Sequence, residues 1–257
     1  MKSLFSVAGK VAIVTGGSRG IGAMIARGFV ENGAKTYITA RKVEELEATA
    51  KELSQYGECV AIASDLSTLD GIKAFCGEIT QREKQVDILI NNAGATWGAP
   101  IEEFPESGWD KVMDLNVKSP FFLVQQLLPA LKQAGDQEDP ARVINISSVN
   151  AYANPKMTNY SYSASKAAIA HLTRHMAADL VKDHITVNAI APGFFPSKMT
   201  AYVLDGHEEA ANASIPRGRI GTPEDAAGTA IYLCSRAGAW VNGQSIVLDG
   251  GSIAAAG

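Results

Sequence analysis

The chain has 257 residues, of which 46% are apolar and 19% charged, and a formal net charge of −4. That size and composition suit a globular, soluble protein with one large α/β domain or two small ones. The acidic balance, with no basic cluster and no apolar run long enough to span a bilayer, speaks against nucleic acid and membrane partners.

The stretch before the first strand is too short to read as a signal peptide. Val11–Thr15 is a short β-branched run, a buried strand by composition. It runs into Gly16-Gly-Ser-Arg-Gly-Ile-Gly22, followed by a helical pattern over 21–32 that ends near Gly33. Lys35–Ala40 is a second strand. A charged, alanine-rich helix over 43–56 is stopped by Gly57, and Cys59–Ala63 is a third strand. A third helix covers 69–83. A fourth strand over 86–90 leads into Asn91-Asn-Ala-Gly94. A long helix over 108–131 is expected to bend at Pro120. A polar surface loop (133–140), a fifth strand (142–146), a helix (160–181) and a sixth strand (185–190) come next. Residues 194–221 show no clean period and read as a mobile excursion. Thr222-Pro-Glu-Asp225 opens another helix, with threonine at the cap, proline in the first turn and acids facing the dipole. Ser245–Leu248 is the last strand.

No linker or repeat interrupts the alternation. The expected architecture is one α/β, doubly wound Rossmann-type domain over 1–257, with a mostly parallel sheet of about seven strands. Right-handed crossovers put the strand ends on one edge. Four of those ends carry Thr15-Gly16, Asn91 to Gly94, Ser147-Ser148 and Pro192-Gly193, polar or glycine-rich as a ligand crevice requires. Cys59, Cys76 and Cys234 have no CxxC spacing and read as buried free thiols in a reducing, cytoplasmic compartment. His171 and His175 share a helix face, but no HExxH pattern or nearby cysteine accompanies them, so no metal is expected.

The glycine run follows a strand and opens a helix, the context in which such a loop binds a pyrophosphate on free N–H groups. The end of the second strand reads Thr39-Ala40-Arg41-Lys42, with no acid before Glu44 to hold a ribose 2′-hydroxyl. Arg41, together with Arg19 inside the loop, suits a 2′-phosphate and hence NADPH/NADP. Asp65-Leu66, just past the third strand, is placed to meet the adenine amino group. In Tyr162-Ser-Ala-Ser-Lys166 the phenol and the ammonium lie four residues apart on one helix face. A cation held beside a tyrosine pulls its pKa down and makes it a usable proton donor.

Taken in order, TGGSRGIG (15–22), NNAG (91–94), Asn116 in DLNV, Ser148 in INISS, Tyr162 with Lys166, PG (192–193) and NGQSIVLDGG (242–251) span nearly the whole chain. Together they resemble the short-chain dehydrogenases/reductases. The resemblance implies roles. Tyr162 is the general acid. Lys166 lowers its pKa and holds the nicotinamide ribose. Ser148 polarises the carbonyl, and Asn116 holds a water in a proton relay. It implies cofactor contacts from Gly16, Ser18, Arg19, Gly20, Ile21 and Gly22 in the loop, and from Asn92, Ala93 and Gly94. Pro192, Gly193, Phe195 and Ser197 complete them, with Ser197 in place of a frequent threonine. The step from Ser148 to Tyr162 is one residue longer than in many members. Tyr160 lies nearby, but only Tyr162 has a lysine four residues on, so the extra residue is assigned to the loop 150–159.

The resemblance also implies a substrate mouth built from Trp97, Tyr152, Met157, Phe194, Met199 and Tyr202, with 193–221 as a lid. It is strongest toward NADPH-dependent 3-oxoacyl reductases, including those of rhamnolipid pathways. It implies a small-molecule carbonyl substrate and a homodimer or homotetramer. The carrier-protein reductases of the family have an arginine where this chain has Ala178. Two other readings stay open: an oxidoreductase of a sugar, polyol or steroid, and a retired NADP(H)-binding sensor or scaffold. The intact Asn116, Ser148, Tyr162 and Lys166 argue against the latter.

Overall fold

The computed structural model describes residues 4–155, 157–197 and 208–255. Seven parallel strands form one sheet in the order β3-β2-β1-β4-β5-β6-β7. They are β1 (Val11–Thr15), β2 (Lys35–Ala40), β3 (Cys59–Ala63), β4 (Ile88–Asn91), β5 (Ala141–Ile146), β6 (Ile185–Pro192) and β7 (Ser245–Leu248). The chain winds outward from β1 to β3, then returns to the other side of β1 with β4. Loops leaving β1 and β4 therefore diverge and open a crevice between them.

β4, β5 and β6 are buried along their whole length, because helices cover both faces of the sheet. On one face lie α1 (Gly20–Glu31), α2 (Val43–Leu53) and a helix at Pro223–Cys234. Ile25, Phe29, Leu46, Leu53, Ala226 and Leu233 join one core there. A Cβ on Gly28 of α1 would come within 2.4 Å of the Ala227 Cβ, so the missing side chain lets the two helices close on each other. On the other face lie α3 (Leu69–Arg82), α5 (Ser119–Ala134) and α6 (Tyr160–Leu180). Ile72, Phe75, Leu123, Leu127, Met176 and Leu180 make the second core.

The single bent helix expected over 108–131 is instead three pieces. α4 (Glu106–Met113) passes through a π-helical turn, Asp114–Lys118, into α5. Pro120 closely follows the π-helical turn. It sits in the first turn of α5, where its missing N–H costs little. The irregularity falls at Asn116 and serves that residue.

The segment expected to be a mobile excursion carries a short helix, α7 (Glu208–Ser214), before α8 (Pro223–Cys234). Its described part is tied down. Gly221 N donates to Phe194 O (2.9 Å), Ile220 N to Asn212 Oδ1 (2.9 Å) and Arg217 N to Gly250 O (3.1 Å). Met199 and Tyr202 lie outside the described residues, as does part of the expected lid. The start of α8 is as read: Thr222 N and Oγ1 both donate to Asp225 Oδ2 (2.8 and 3.1 Å). A last short helix, α9, is Ser252–Ala255.

Candidate active site

The loop after β1 opens α1 with no acid in its first turn, so its free N–H groups face the crevice without a competing carboxylate. Gly20 takes φ +54°, a left-handed value that favours glycine. At Gly22 a Cβ would fall 2.3 Å from Gly16 O and 2.4 Å from Asn92 Nδ2. The loop is stitched to the strand across the crevice. Thr15 Oγ1 accepts from Asn92 N and Ala93 N (2.9 Å each), and Asn92 Nδ2 donates to Thr15 O (2.9 Å) and Gly16 O (3.1 Å). Thr49 Oγ1 of α2 donates to Ser18 O (2.9 Å), pinning the loop from outside. Sequence reading put Thr15 at the crevice end of its strand without naming its role, and passed over Thr49. The strand-end position of Thr15 was the available signal; nothing marked Thr49.

A cleft of about 320 Å³ runs from this loop to the end of β5. Every residue expected to hold the cofactor lines it: Gly16, Ser18, Arg19, Gly20 and Ile21 from the loop, then Arg41, Asp65 and Leu66. Asn92, Ala93, Gly94, Tyr162, Lys166, Pro192, Gly193, Phe195 and Ser197 complete that set. Gly22 is the exception; it sits behind the loop and shapes it. Thr39 lines the outer end with its Oγ1 buried and unpartnered, and Lys42 and Glu45 also reach it. Burial pushes the Asp65 carboxyl up, but bonds from the Ser67 hydroxyl and amide and the nearby Arg41 cation hold it net below its usual value. Its Oδ1 is already engaged by Ser67 (2.7 and 3.0 Å). The glycine cradle, free helix N-terminus and paired arginines fit NADP(H) in this cleft.

At the inner end, β5 delivers Ser147 and Ser148, α6 delivers Tyr162 and Lys166, and the π-turn delivers Asn116. Ser148 Oγ accepts from Asn150 N (3.2 Å) and lines the cleft together with Tyr162, whose phenol it acts to lower in pKa. Lys166, buried, donates from Nζ to Ile146 O (2.7 Å), while Ser147 Oγ donates back to Lys166 O (2.8 Å). Ser165 Oγ donates to Tyr162 O (2.7 Å) and accepts from Asn116 Nδ2 (2.9 Å). The other Asn116 amide hydrogen goes to Ala95 O (3.0 Å), and its Oδ1 accepts from Ala95 N (2.8 Å). The side chain thus clamps the Ala95 backbone and keeps no amide hydrogen for a water. Tyr160, the rival tyrosine, is 41% exposed and meets Phe104 edge-on at 5.9 Å.

One electrostatic expectation is reversed. Burial pushes the Tyr162 phenol up, with Ser148 opposing, and pushes the Lys166 ammonium down to about 8. Desolvation is the largest cause for both groups.

The expected mouth stands apart from the cleft wall. Trp97, Tyr152, Met157 and Phe194 are not among its lining residues. Tyr152, Met157 and Phe194 are exposed. Trp97 is half-buried over Gly108 of α4, with Lys111 Nζ 5.2 Å from its ring centroid. Ala178 is exposed on α6. Among the described residues, no group of three or more His, Cys, Asp or Glu could hold a metal ion.

Residues 10–208 match the family described as short chain dehydrogenase. The chain is 49% identical to the rhamnolipids biosynthesis 3-oxoacyl-[acyl-carrier-protein] reductase of Pseudomonas aeruginosa, covering 98% of this chain and 99% of that protein. It is 35% identical to the gluconate 5-dehydrogenase of Gluconobacter oxydans, over 96% of each. Among solved structures, the Pseudomonas aeruginosa RhlG/NADP active-site complex superposes with a TM-score of 0.94 at 49% identity, covering 98% of this chain and 100% of that one. A 7α-hydroxysteroid dehydrogenase complexed with NADH and 7-oxo glycochenodeoxycholic acid superposes with a TM-score of 0.89 at 32% identity, covering 98% and 97%.

Proposed function

The chain belongs to the short-chain dehydrogenase family, and from that membership we propose that it reduces the ketone of a 3-oxoacyl thioester to the 3-hydroxy product. It is an NADP(H)-dependent oxidoreductase of small carbonyl compounds. The observation that carries the reading is Ser148, Tyr162 and Lys166 lining one end of a glycine-cradled cleft, with the Lys166 ammonium 5.4 Å from the Tyr162 ring centroid.

When bound, the nicotinamide supplies the hydride. The chain's own residues then handle the oxygen. Ser148 and Tyr162 line the same end of the cleft, where their hydroxyls hydrogen-bond the carbonyl oxygen, polarising it and fixing the face it presents. As negative charge develops there, Tyr162 Oη hands over its proton. A phenol kept high by burial stays protonated until charge develops on the carbonyl oxygen, and the phenolate left behind is stabilised by the buried ammonium of Lys166. Lys166 also reaches toward the nicotinamide ribose. Asn116 holds Ala95 and, through Ser165, the first turn of α6, so Tyr162 stays in line.

For the substrate, the support is the 49% identity to a 3-oxoacyl reductase and the apolar side chains of Trp97, Tyr152, Met157 and Phe194 outside the cleft. Exposed Ala178 gives a carrier protein no cation to grip. Coenzyme A and pantetheine thioesters should therefore serve about as well as carrier-protein thioesters. The chain assembles as a homodimer or homotetramer through α5, α6 and the C-terminal strand. Phe121, 41% exposed on α5, and Trp240, 99% exposed before β7, support those faces. The three cysteines are buried and free, which fits a cytoplasmic setting.

The test is steady-state NADPH oxidation over acetoacetyl to 3-oxodecanoyl thioesters, with a sugar ketone and a steroid ketone as controls. kcat/KM should rise roughly a few-fold per carbon until the pocket is full, since each buried methylene contributes about 0.8 kcal/mol. Faster turnover of either control than of every thioester would remove the 3-oxoacyl assignment.

A further inference from the structure

The adenosine end of the cleft carries a group that residue spacing does not place there. Arg19, Arg41 and Lys42 line it, and so does Glu45. Glu45 sits in the first turn of α2, one residue past the acid considered from sequence. Arg19 Nη1 lies 3.3 Å from each Glu45 carboxylate oxygen. The arrangement is built rather than incidental. Thr49, one turn along α2, has its Oγ1 2.9 Å from both Glu45 O and Ser18 O, which share its one hydroxyl hydrogen. α2 is therefore pinned to the glycine loop, which holds the backbones that carry Arg19 and Glu45 side by side.

We propose that Glu45 sets how strongly the site discriminates a 2′-phosphate from a 2′-hydroxyl, acting against Arg19 and Arg41. The inference rests on the reading that the two arginines hold the 2′-phosphate. A phosphate arriving at Arg19 meets a carboxylate already on that guanidinium. It must displace the carboxylate or share the cation with it, and either way two anions are brought together. A 2′-hydroxyl carries no charge, suffers no such repulsion and can donate to the carboxylate. Glu45 thus weakens NADP(H) and leaves NAD(H) unpenalised, so the preference for NADP(H) is smaller than two arginines alone would give.

The contact is partly exposed, so the effect is modest and salt-sensitive. The experiment is calorimetric titration of the full-length protein with adenosine 2′-monophosphate and adenosine 5′-monophosphate. NADP⁺ and NAD⁺ follow, at low and high ionic strength, for wild type, Glu45→Gln and Arg41→Ala. Glu45→Gln should tighten adenosine 2′-monophosphate and NADP⁺ by about three- to ten-fold at low salt. The gain should shrink at high salt, and the other two ligands should bind no more tightly than before. Unchanged or weaker binding of the 2′-phosphate ligands by Glu45→Gln, with wild type still preferring them and Arg41→Ala losing that preference, would overturn the role of Glu45 alone. Equal binding of both monophosphates by wild type would overturn the arginine reading and this inference with it.

Discussion

The Lys166 ammonium stands 5.4 Å from the centroid of the Tyr162 ring and donates to the Ile146 carbonyl rather than to the phenol. A buried ammonium in this position is a cost to the folded apoprotein, and its pH dependence has a definite sign. Below about 8 both the folded and unfolded chains hold the proton, and the cost is fully present. Between there and the ordinary lysine value of 10.5, the unfolded chain binds more protons, so this group's contribution to stability rises with pH. The buried thiols, pushed up to about 11 at Cys59 and about 12 at Cys76 and Cys234, act oppositely above the ordinary thiol value of 9.0. The Lys166 contribution is therefore read by difference. Lys166→Met should abolish turnover yet gain stability relative to wild type at pH 7. That gain should fade, by on the order of 2–3 kcal/mol, as denaturant titrations move from pH 7.5 to 10. A pH-independent difference would mean that the lysine is not perturbed in the fold.

Tyr162→Phe should lower kcat by about 10²–10⁴ while NADPH binding, followed by fluorescence, stays within a few-fold of wild type, because the hydroxyl acts on the reacting oxygen. Tyr160→Phe should stay within about three-fold of wild-type kcat, its ring facing Phe104 and solvent. An exchange of the two phenotypes would move the catalytic role to Tyr160.

Arg41→Asp removes a cation from the adenosine end and adds an anion. A charge-assisted hydrogen bond contributes about 1.5–3 kcal/mol, so kcat/KM for NADPH should fall by roughly ten- to a hundred-fold or more, with NADH little affected. Paired measurements with the two cofactors decide it. A parallel loss with both would point to a structural fault instead.

Gly108→Ala tests the mouth. A Cβ there would lie 2.7 Å from the Trp97 indole, so the ring must move outward. Overpacking of this kind costs about 1–3 kcal/mol, and the displaced indole should alter kcat/KM for long-chain thioesters more than for acetoacetyl thioesters. NADPH affinity should not change. Equal effects on all chain lengths would detach Trp97 from the substrate.

The strand alternation and the glycine loop were legible because each element writes its own period and turn chemistry into a short window. Tyr162 and Lys166 were legible for the same reason: one helix turn relates them. What escaped reading depends on contacts between distant segments. Thr49 meets Ser18, and Glu45 meets Arg19, only because β2 returns the chain beside β1. The reversal of the tyrosine's shift has the same origin. Spacing reports a neighbouring cation but not the dryness of the pocket that several elements close around it. The π-turn before Pro120 escaped because proline in a first helical turn and proline at an irregularity look alike in a sequence.

The wide turn at Asp114–Lys118 makes length itself part of the site. A π-helical turn holds one residue more than the α-helix on either side. Trim that residue and α4 would run into α5 as one regular rod, with all that follows rotated by about 100° and drawn back by about 1.5 Å. Asn116 would then swing off the Ala95 backbone and off Ser165. Substitutions along this rod can be absorbed one side chain at a time, but a single-residue deletion reindexes every contact beyond it.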